Sequence, residues 1–385
     1  MGLSVEKIEN SLLILGLLLA PLTSLRVWKI GPGELILFLW CLLVMMRRRK
    51  IVINLITKFW YFFIFLVTIG TLFGNAIITQ REMGSDEAFT YIFFTLFITS
   101  LVTFFDGNDN VYSILEKIYW VDLLFFSFLF LYGTYVSQSI FGMRLWFASV
   151  RFTGGALNPH QFAYTSGPMV IAGLYLASNK SSFWNKFLFY LSIVPFFMMS
   201  MATLSATLSA TFTILFILFI FLSLVDDKNL QRKTKKIIIF SSLMIIFILL
   251  FANNIYEIFI NFVYSDPNGP GRFQLWYASF NTWKLSPIIG LGLYGSAGAE
   301  RGIGSEAHST YFELLLKCGI IGLSLYLYFV YKLGRYTIKN KYAFLMVIFF
   351  VLYGFGGYSF RRVYMWYFTI TAYYLVKKDE IVISL

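Results

Sequence analysis

Apolar runs of roughly 17 to 25 residues recur from one end of this chain to the other, and each is long enough to cross about 30 Å of hydrocarbon as a helix. The polar troughs between them predict about twelve helices, near residues 9–25, 33–46, 56–74, 88–105, 117–137, 163–179, 186–201, 207–225, 237–254, 312–331, 342–357 and 363–376. Of 385 residues, 58% are hydrophobic, 20% aromatic and only 13% charged, against about 25% charged in an average soluble domain. The expectation is an all-α integral membrane protein with about twelve transmembrane helices. Residues 1–254 would carry helices 1–9, residues 255–311 a large extracytoplasmic loop, and residues 312–385 helices 10–12.

Charge tests that layout, because short loops kept in the cytoplasm retain Lys and Arg. Lys7, Arg47 to Lys50, Lys58, Lys180, Lys186, Lys228 with Arg232 to Lys236, Lys332 to Lys341, and Lys377 with Lys378 all fall on one side. About 20 of the 31 basic residues lie there and about 10 opposite. A multi-pass inner-membrane protein with both termini cytoplasmic is expected. The net charge of +12 is then explained by membrane lipids and the insertion machinery, and nucleic acid is not expected as a partner. Only Lys7 precedes the first apolar stretch and no small-residue cleavage site follows, so that stretch is expected to be the first span. Cys41 and Cys318 sit far apart inside predicted helices, and there are two histidines. That donor set predicts neither a protein-built metal site nor a cofactor.

Two outer loops are long, at about 138–162 and 255–311, and loops beyond about 15 residues are usually functional or disordered. In the larger one, aromatics at 273, 276, 277, 280 and 283 have helical spacing over Arg272 to Leu285, which predicts an amphipathic helix on the membrane surface, started by Pro267, Pro270 and Gly271. The outer basic residues are mostly arginine: Arg26, Arg81, Arg144, Arg151, Arg272, Arg301, Arg361 and Arg362. A guanidinium binds phosphate oxygens bidentately and keeps its charge where water is scarce. Arg151, Arg272, Arg301, Arg361 and Arg362 are therefore candidates for a pyrophosphate site. The alternative for each is headgroup contact or pairing with Glu82, Asp86, Glu300 or Glu306. His308, at the water-facing start of the tenth span, is a candidate general base, or else a helix-capping hydrogen-bond donor. His160 carries less weight. Trp276 offers a face for a sugar ring, and Gly290 and Gly292, in Gly290-Leu-Gly-Leu-Tyr-Gly295, let backbone approach a ligand closely. The run has no phosphate-loop Lys-Ser/Thr and no preceding strand, so a nucleotide site is not expected.

The stretch from His308-Ser309-Thr through Gly319-Ile-Ile-Gly322 resembles the signature of the O-antigen ligase and polymerase family of bacterial surface polysaccharide assembly. Gly271-Arg272-Phe-Gln-Leu-Trp276 with Ser286-Pro287-Ile-Ile-Gly290-Leu-Gly292, and Arg151 with Gly154-Gly155 and Asn158-Pro159, resemble two further runs of that family. The resemblance implies a metal-independent membrane glycosyltransferase, GT-C-like, that takes a glycan from undecaprenyl pyrophosphate. His308 and Arg272 would be catalytic, Ser309 would line the glycan cleft with Trp276, and a chain-length regulator protein would be a further partner. One departure bears on the acceptor. The ligases typically carry an arginine in the patch that here reads Ala202-Thr-Leu-Ser-Ala-Thr-Leu-Ser-Ala-Thr211; its role is carried to no residue here, although Arg151 or Arg361 could fill it in space, and its absence favours a polymerase, using another lipid-linked repeat, over a ligase, using lipid A core. The rival from another class is a lipid-linked oligosaccharide flippase. It should show ionisable residues mid-span, of which Lys317 is the clearest in sequence, and an inverted repeat, which is not evident.

Overall fold

The structure, a computed structural model, describes residues 5–27, 30–78, 85–108, 110–225, 234, 271–302 and 304–384. The expected ninth span at 237–254, Pro267 and Pro270, Arg81, and all but Thr234 of the basic run at 228–236 lie outside the described residues. Twelve α-helices are described: α1 Val5–Leu19, α2 Pro32–Arg48, α3 Leu55–Ile77, α4 Ser85–Asp106, α5 Val111–Tyr135, α6 Pro159–Ser178, α7 Phe183–Ala202, α8 Ala206–Val225, α9 Arg272–Trp283, α10 Thr310–Thr337, α11 Lys341–Tyr353 and α12 Val363–Ser384. Eleven of these coincide with expected spans, and α9 is the expected loop helix. The long loop before α6 also folds two hairpins, β1 Ser139–Ile140 with β2 Met143–Arg144 and β3 Trp146–Phe147 with β4 Arg151–Phe152, which hydropathy does not reveal.

Helix ends follow local chemistry. Asn54, Asn158 and Asn340 each cap a helix by accepting backbone N–H groups of the first turn, and Pro159 occupies the first helical position of α6, where its missing N–H costs nothing. α1 stops at Leu19 rather than 25 because Pro21 follows. The run Gly354, Gly356, Gly357 ends α11 at Tyr353 rather than 357.

Among the described residues, five helices are long and apolar enough to cross a membrane: α3, α4 over Glu87–Asp106, α7, α8 and α10. The count of twelve spans is thus an expectation that length and composition support for five. α1, α2 and α11 are shorter, at 15, 17 and 13 residues. Helix association in lipid rests on close packing more than on exclusion of water, and aromatic side chains supply much of it. α12 packs against α4, α5, α6, α10 and α11, with Trp366, Tyr367 and Phe368 fully buried. Phe59 of α3 stacks on Phe329 of α10 at 4.2 Å, and Trp60 meets Trp366 edge-on at 5.0 Å.

Candidate functional site

α10 is two helices joined at a break. Gly319 has φ +60 and ψ −160, and the loop at 287–291 fills the gap. The Leu291 N–H donates to the Leu316 carbonyl at 2.8 Å, and the Ile320 N–H to the Pro287 carbonyl at 2.9 Å. A Cβ on Gly319 would lie 2.2 Å from the Ile288 oxygen, and one on Gly290, at φ +80, 2.5 Å from the Cys318 nitrogen. Gly292 is pressed against Thr71 of α3 in the same way. This corrects the expectation that Gly290 and Gly292 open a cleft to a ligand: the backbone they approach is the protein's own, and the two glycine motifs form one interlocked unit.

The break sits beside a chain of alternating charges. Lys317, 1% exposed, meets Glu87 of α4 at 2.6 Å and Glu313, one turn before it, at 3.7 Å. Its Nζ also donates to the Gly295 carbonyl at 3.2 Å. Glu87 pairs with Arg361 at 3.4 Å, Arg361 with Glu306 at 2.5 Å, and Glu306 stands 3.6 Å from Nδ1 of His308. Glu313 returns to the same segment, accepting the Ala307 N–H at 2.7 Å. Thr310 closes the other side. Its N–H donates to the Gly354 carbonyl at 2.8 Å, its hydroxyl donates to the Gly357 carbonyl at 2.8 Å and accepts the Ser359 N–H at 3.0 Å. The segment carrying His308 is thereby fixed to α4, α10 and the turn after α11.

His308 sits at φ +50, a left-handed conformation uncommon for a residue with a Cβ and often found at functional sites. Its side chain is 53% exposed, so a substrate can reach it. Glu306 raises the imidazole pKa above its ordinary value, partial desolvation and the Arg272 field opposing. Burial works to raise the Glu306 carboxyl, but His308, Arg361 and Arg362 outweigh it and hold it at about 2. The pair is a carboxylate-oriented histidine with enhanced basicity.

A second network lies beside the first. Nε of Arg151 donates to the Thr203 carbonyl at 2.9 Å and its Nη2 lies 3.4 Å from Nε2 of His160. His160 Nδ1 is 3.1 Å from the Ser205 hydroxyl, which is 3.4 Å from the Tyr353 hydroxyl. Arg151, from the hairpin loop, thus reaches the patch at 202–211 that lacks its own arginine. Arg361 does not, being bound to Glu87 and Glu306. Arg151, Arg272 and Arg362 all lie in the field of the Tyr353 hydroxyl, and Arg272 also in that of His308. Arg151, through His160 and Ser205, and Arg362, over the Tyr164 ring that meets the Tyr353 ring at 4.6 Å, thus approach the same tyrosine.

The other predicted residues divide. Arg361 takes the ion-pairing alternative, its charge spent on carboxylates. Arg301 is 66% exposed and pairs with its neighbour Glu300 at 3.5 Å; no described contact joins it to the cluster. Ser309 is buried and its carbonyl accepts the Glu313 N–H, so it shapes the start of α10 rather than lining an open cleft. Trp276 stacks on Phe312 at 5.7 Å and leaves a buried Nε1 without a partner. Sequence reading passed over Glu87, Tyr353 and Asp122, and named Arg26 only among the outer arginines. The Glu313–Lys317 spacing of four was a usable signal of a pair on one helix face. Asp122, inside α5, accepts the Tyr364 hydroxyl at 2.5 Å and adds to Lys317 as a buried ionisable residue within a helix. Among the described residues no group of three or more His, Cys, Asp or Glu could hold a metal ion.

Neither the curated proteins nor the solved structures yield a match to the chain. A family model described as O-antigen ligase matches residues 191–327, a stretch that holds the Thr203–Ser205 patch, Arg272, Trp276, both interlocked glycine motifs and His308. The resemblance carried by those motifs is thereby supported over residues 191–327, which are similar to the O-antigen ligase family.

Proposed function

We propose that the chain is a polysaccharide polymerase that transfers a glycan from undecaprenyl pyrophosphate to a sugar hydroxyl of another lipid-linked repeat. The acceptor oxygen forms a bond to the anomeric carbon, the bond from that carbon to the diphosphate oxygen breaks with its electron pair leaving on the diphosphate, and the hydroxyl proton passes to His308. The observation that carries this reading is His308, half-exposed and 3.6 Å from the Glu306 carboxylate, with the Arg272 cation acting on it. Preorganised cations stabilise charge that grows on a leaving diphosphate, and a half-exposed histidine oriented by Glu306 can accept a proton. The reaction would occur on the extracytoplasmic face, where the arginine-bearing loops are expected.

The missing arginine at 202–211 supports the polymerase. The description of the matching family, and Arg151 reaching Thr203, support transfer to lipid A core instead. Deletion of the gene separates them. A polymerase mutant still caps its core with one repeat unit and shows one short band instead of a ladder, or, in capsule assembly, loses long chains and keeps lipid-linked single units. Bare core with long polymer left on the lipid carrier would establish the ligase and overturn the polymerase.

A further inference from the structure

On the α1–α2 side of Arg362 lies a cavity of about 40 Å³ whose charged walls are Arg26, Arg361 and Arg362 with the one carboxylate of Glu34, and whose polar walls include Thr23, Gln161 and Tyr164. Arg26 comes from the turn between α1 and α2, Gln161 and Tyr164 from the first turns of α6, and Arg362 from the turn before α12. The Nε atoms of Arg26 and Arg362 are both buried, and neither has a hydrogen-bond partner. Arg26 engages Glu34 through Nη2. Among the described residues Arg362 has no ion-pair partner within contact distance; the Tyr164 ring lies 5.6 Å from its guanidinium carbon, and the Glu306 carboxylate acts on it at longer range. The two guanidinium groups lie in one another's field, like charges facing a small space.

Two buried guanidinium N–H groups without an acceptor, facing one small space, are a costly arrangement that an anion relieves and water relieves only in part. We propose that this cavity is a binding site for one anionic oxygen group, a phosphate or a carboxylate, held between Arg26 and Arg362. The Nε and an adjacent Nη of a guanidinium form a two-donor edge suited to either group. Room for about three water molecules fits one such group and not a diphosphate with its sugar. Thr23, whose hydroxyl donates to Gln161 Oε1 at 2.6 Å, braces the wall between α1 and α6. Which molecule brings the anion rests on the transfer reaction proposed above, through a phosphate of the lipid carrier or the carboxylate of an acidic sugar. The anion site itself does not.

Purified full-length protein in neutral detergent at constant ionic strength provides the test, with thermal unfolding followed against inorganic phosphate and against glucuronate over a chloride baseline. A saturable rise in Tm of a few degrees with at least one of them is expected, lost in Arg26→Gln and in Arg362→Gln and kept in Arg144→Gln, an arginine of the β1–β2 hairpin. Saturation by phosphate alone assigns the lipid carrier, and by glucuronate alone an acidic sugar. Should Arg362→Gln fail to fold, Arg362→Lys keeps the charge without the two-donor edge and should bind at least several-fold more weakly. Absence of saturable binding by either anion, or binding indifferent to both arginines, overturns the proposal. If lipid-linked glycan proves not to be a substrate while this binding persists, the transfer reading fails and the anion site stands.

Discussion

At the scale of single residues, His308 and Glu306 make the chemistry testable through pH. His308 accepts a proton only when neutral, and Glu306 raises its pKa above the ordinary histidine value. The transfer rate should therefore fall as pH drops through that raised pKa. Glu306→Gln removes the charge that favours the imidazolium, so the acid limb should move to lower pH in a pH–rate profile of transfer in vitro. An acid limb unmoved by Glu306→Gln would mean that His308 is not the titrating base. His308→Gln keeps a hydrogen bond and loses proton acceptance, and a rate loss of roughly 10² to 10⁴ is expected; far better tolerance of Gln than of Ala would mean an orienting role, and normal chain lengths with both would make the histidine structural. His308 and Arg272 were legible from residue type and motif. Glu87 was not, because its relevance comes from 230 residues away, through Lys317.

At the scale of elements, the interlock of the 287–291 loop with the broken α10 bears the greatest strain if altered. Gly319→Ala puts a Cβ against the Ile288 carbonyl in a backbone conformation that alanine resists, at a cost of about 1–3 kcal/mol for the conformation alone and more for the clash. A lowered Tm and faster proteolysis between residues 284 and 300 should report the released loop; wild-type protection would refute the interlock. Lys317→Met leaves Glu87 and Glu313 facing each other without their shared cation, a change of about 3–5 kcal/mol for a buried pair. The double variant Lys317→Met/Glu87→Gln should recover part of that loss, and a double variant no more stable than the single would show that the two do not act as a pair. Hydropathy located these helices well, since an apolar run of the right length allows little else. It missed the break, because Gly319 inside an apolar run reads as a tolerated glycine until the partner loop is seen. It missed the β1–β2 and β3–β4 hairpins because each strand is two residues long.

At the scale of the whole molecule, contacts join the turn after α1 to the loop before α6, and that loop to the α7–α8 turn. With α9 and the turn before α12, these segments are expected to form the outward end. The opposite end holds Glu9 with Arg47 at 2.7 Å, Lys180 with Glu116 at 2.7 Å and Lys377 with Asp106 at 2.7 Å. Labelling of single cysteines in intact cells should mark Leu157→Cys, at a position 54% exposed, and should mark Lys50→Cys, 55% exposed, only after permeabilisation. The reverse pattern would invert the topology and remove the extracytoplasmic reaction with it.

The buried position of Lys317 also constrains the order in which the chain can be assembled. As a continuous helix the 28 residues of α10 would run about 42 Å at about 1.5 Å per residue, more than the hydrocarbon is thick, so its leading segment emerges on the loop side. Glu313 and Lys317 enter as a matched pair one turn apart, which lowers the cost of inserting either alone. Lys317 then finds Glu87, on a helix made more than two hundred residues earlier, and Glu87 waits through the synthesis of the intervening helices without its ammonium partner. Docking of α10 on α3 and α4 is therefore a late event in biogenesis, and a nascent chain arrested before Lys317 should be the form that membrane quality-control proteases recognise.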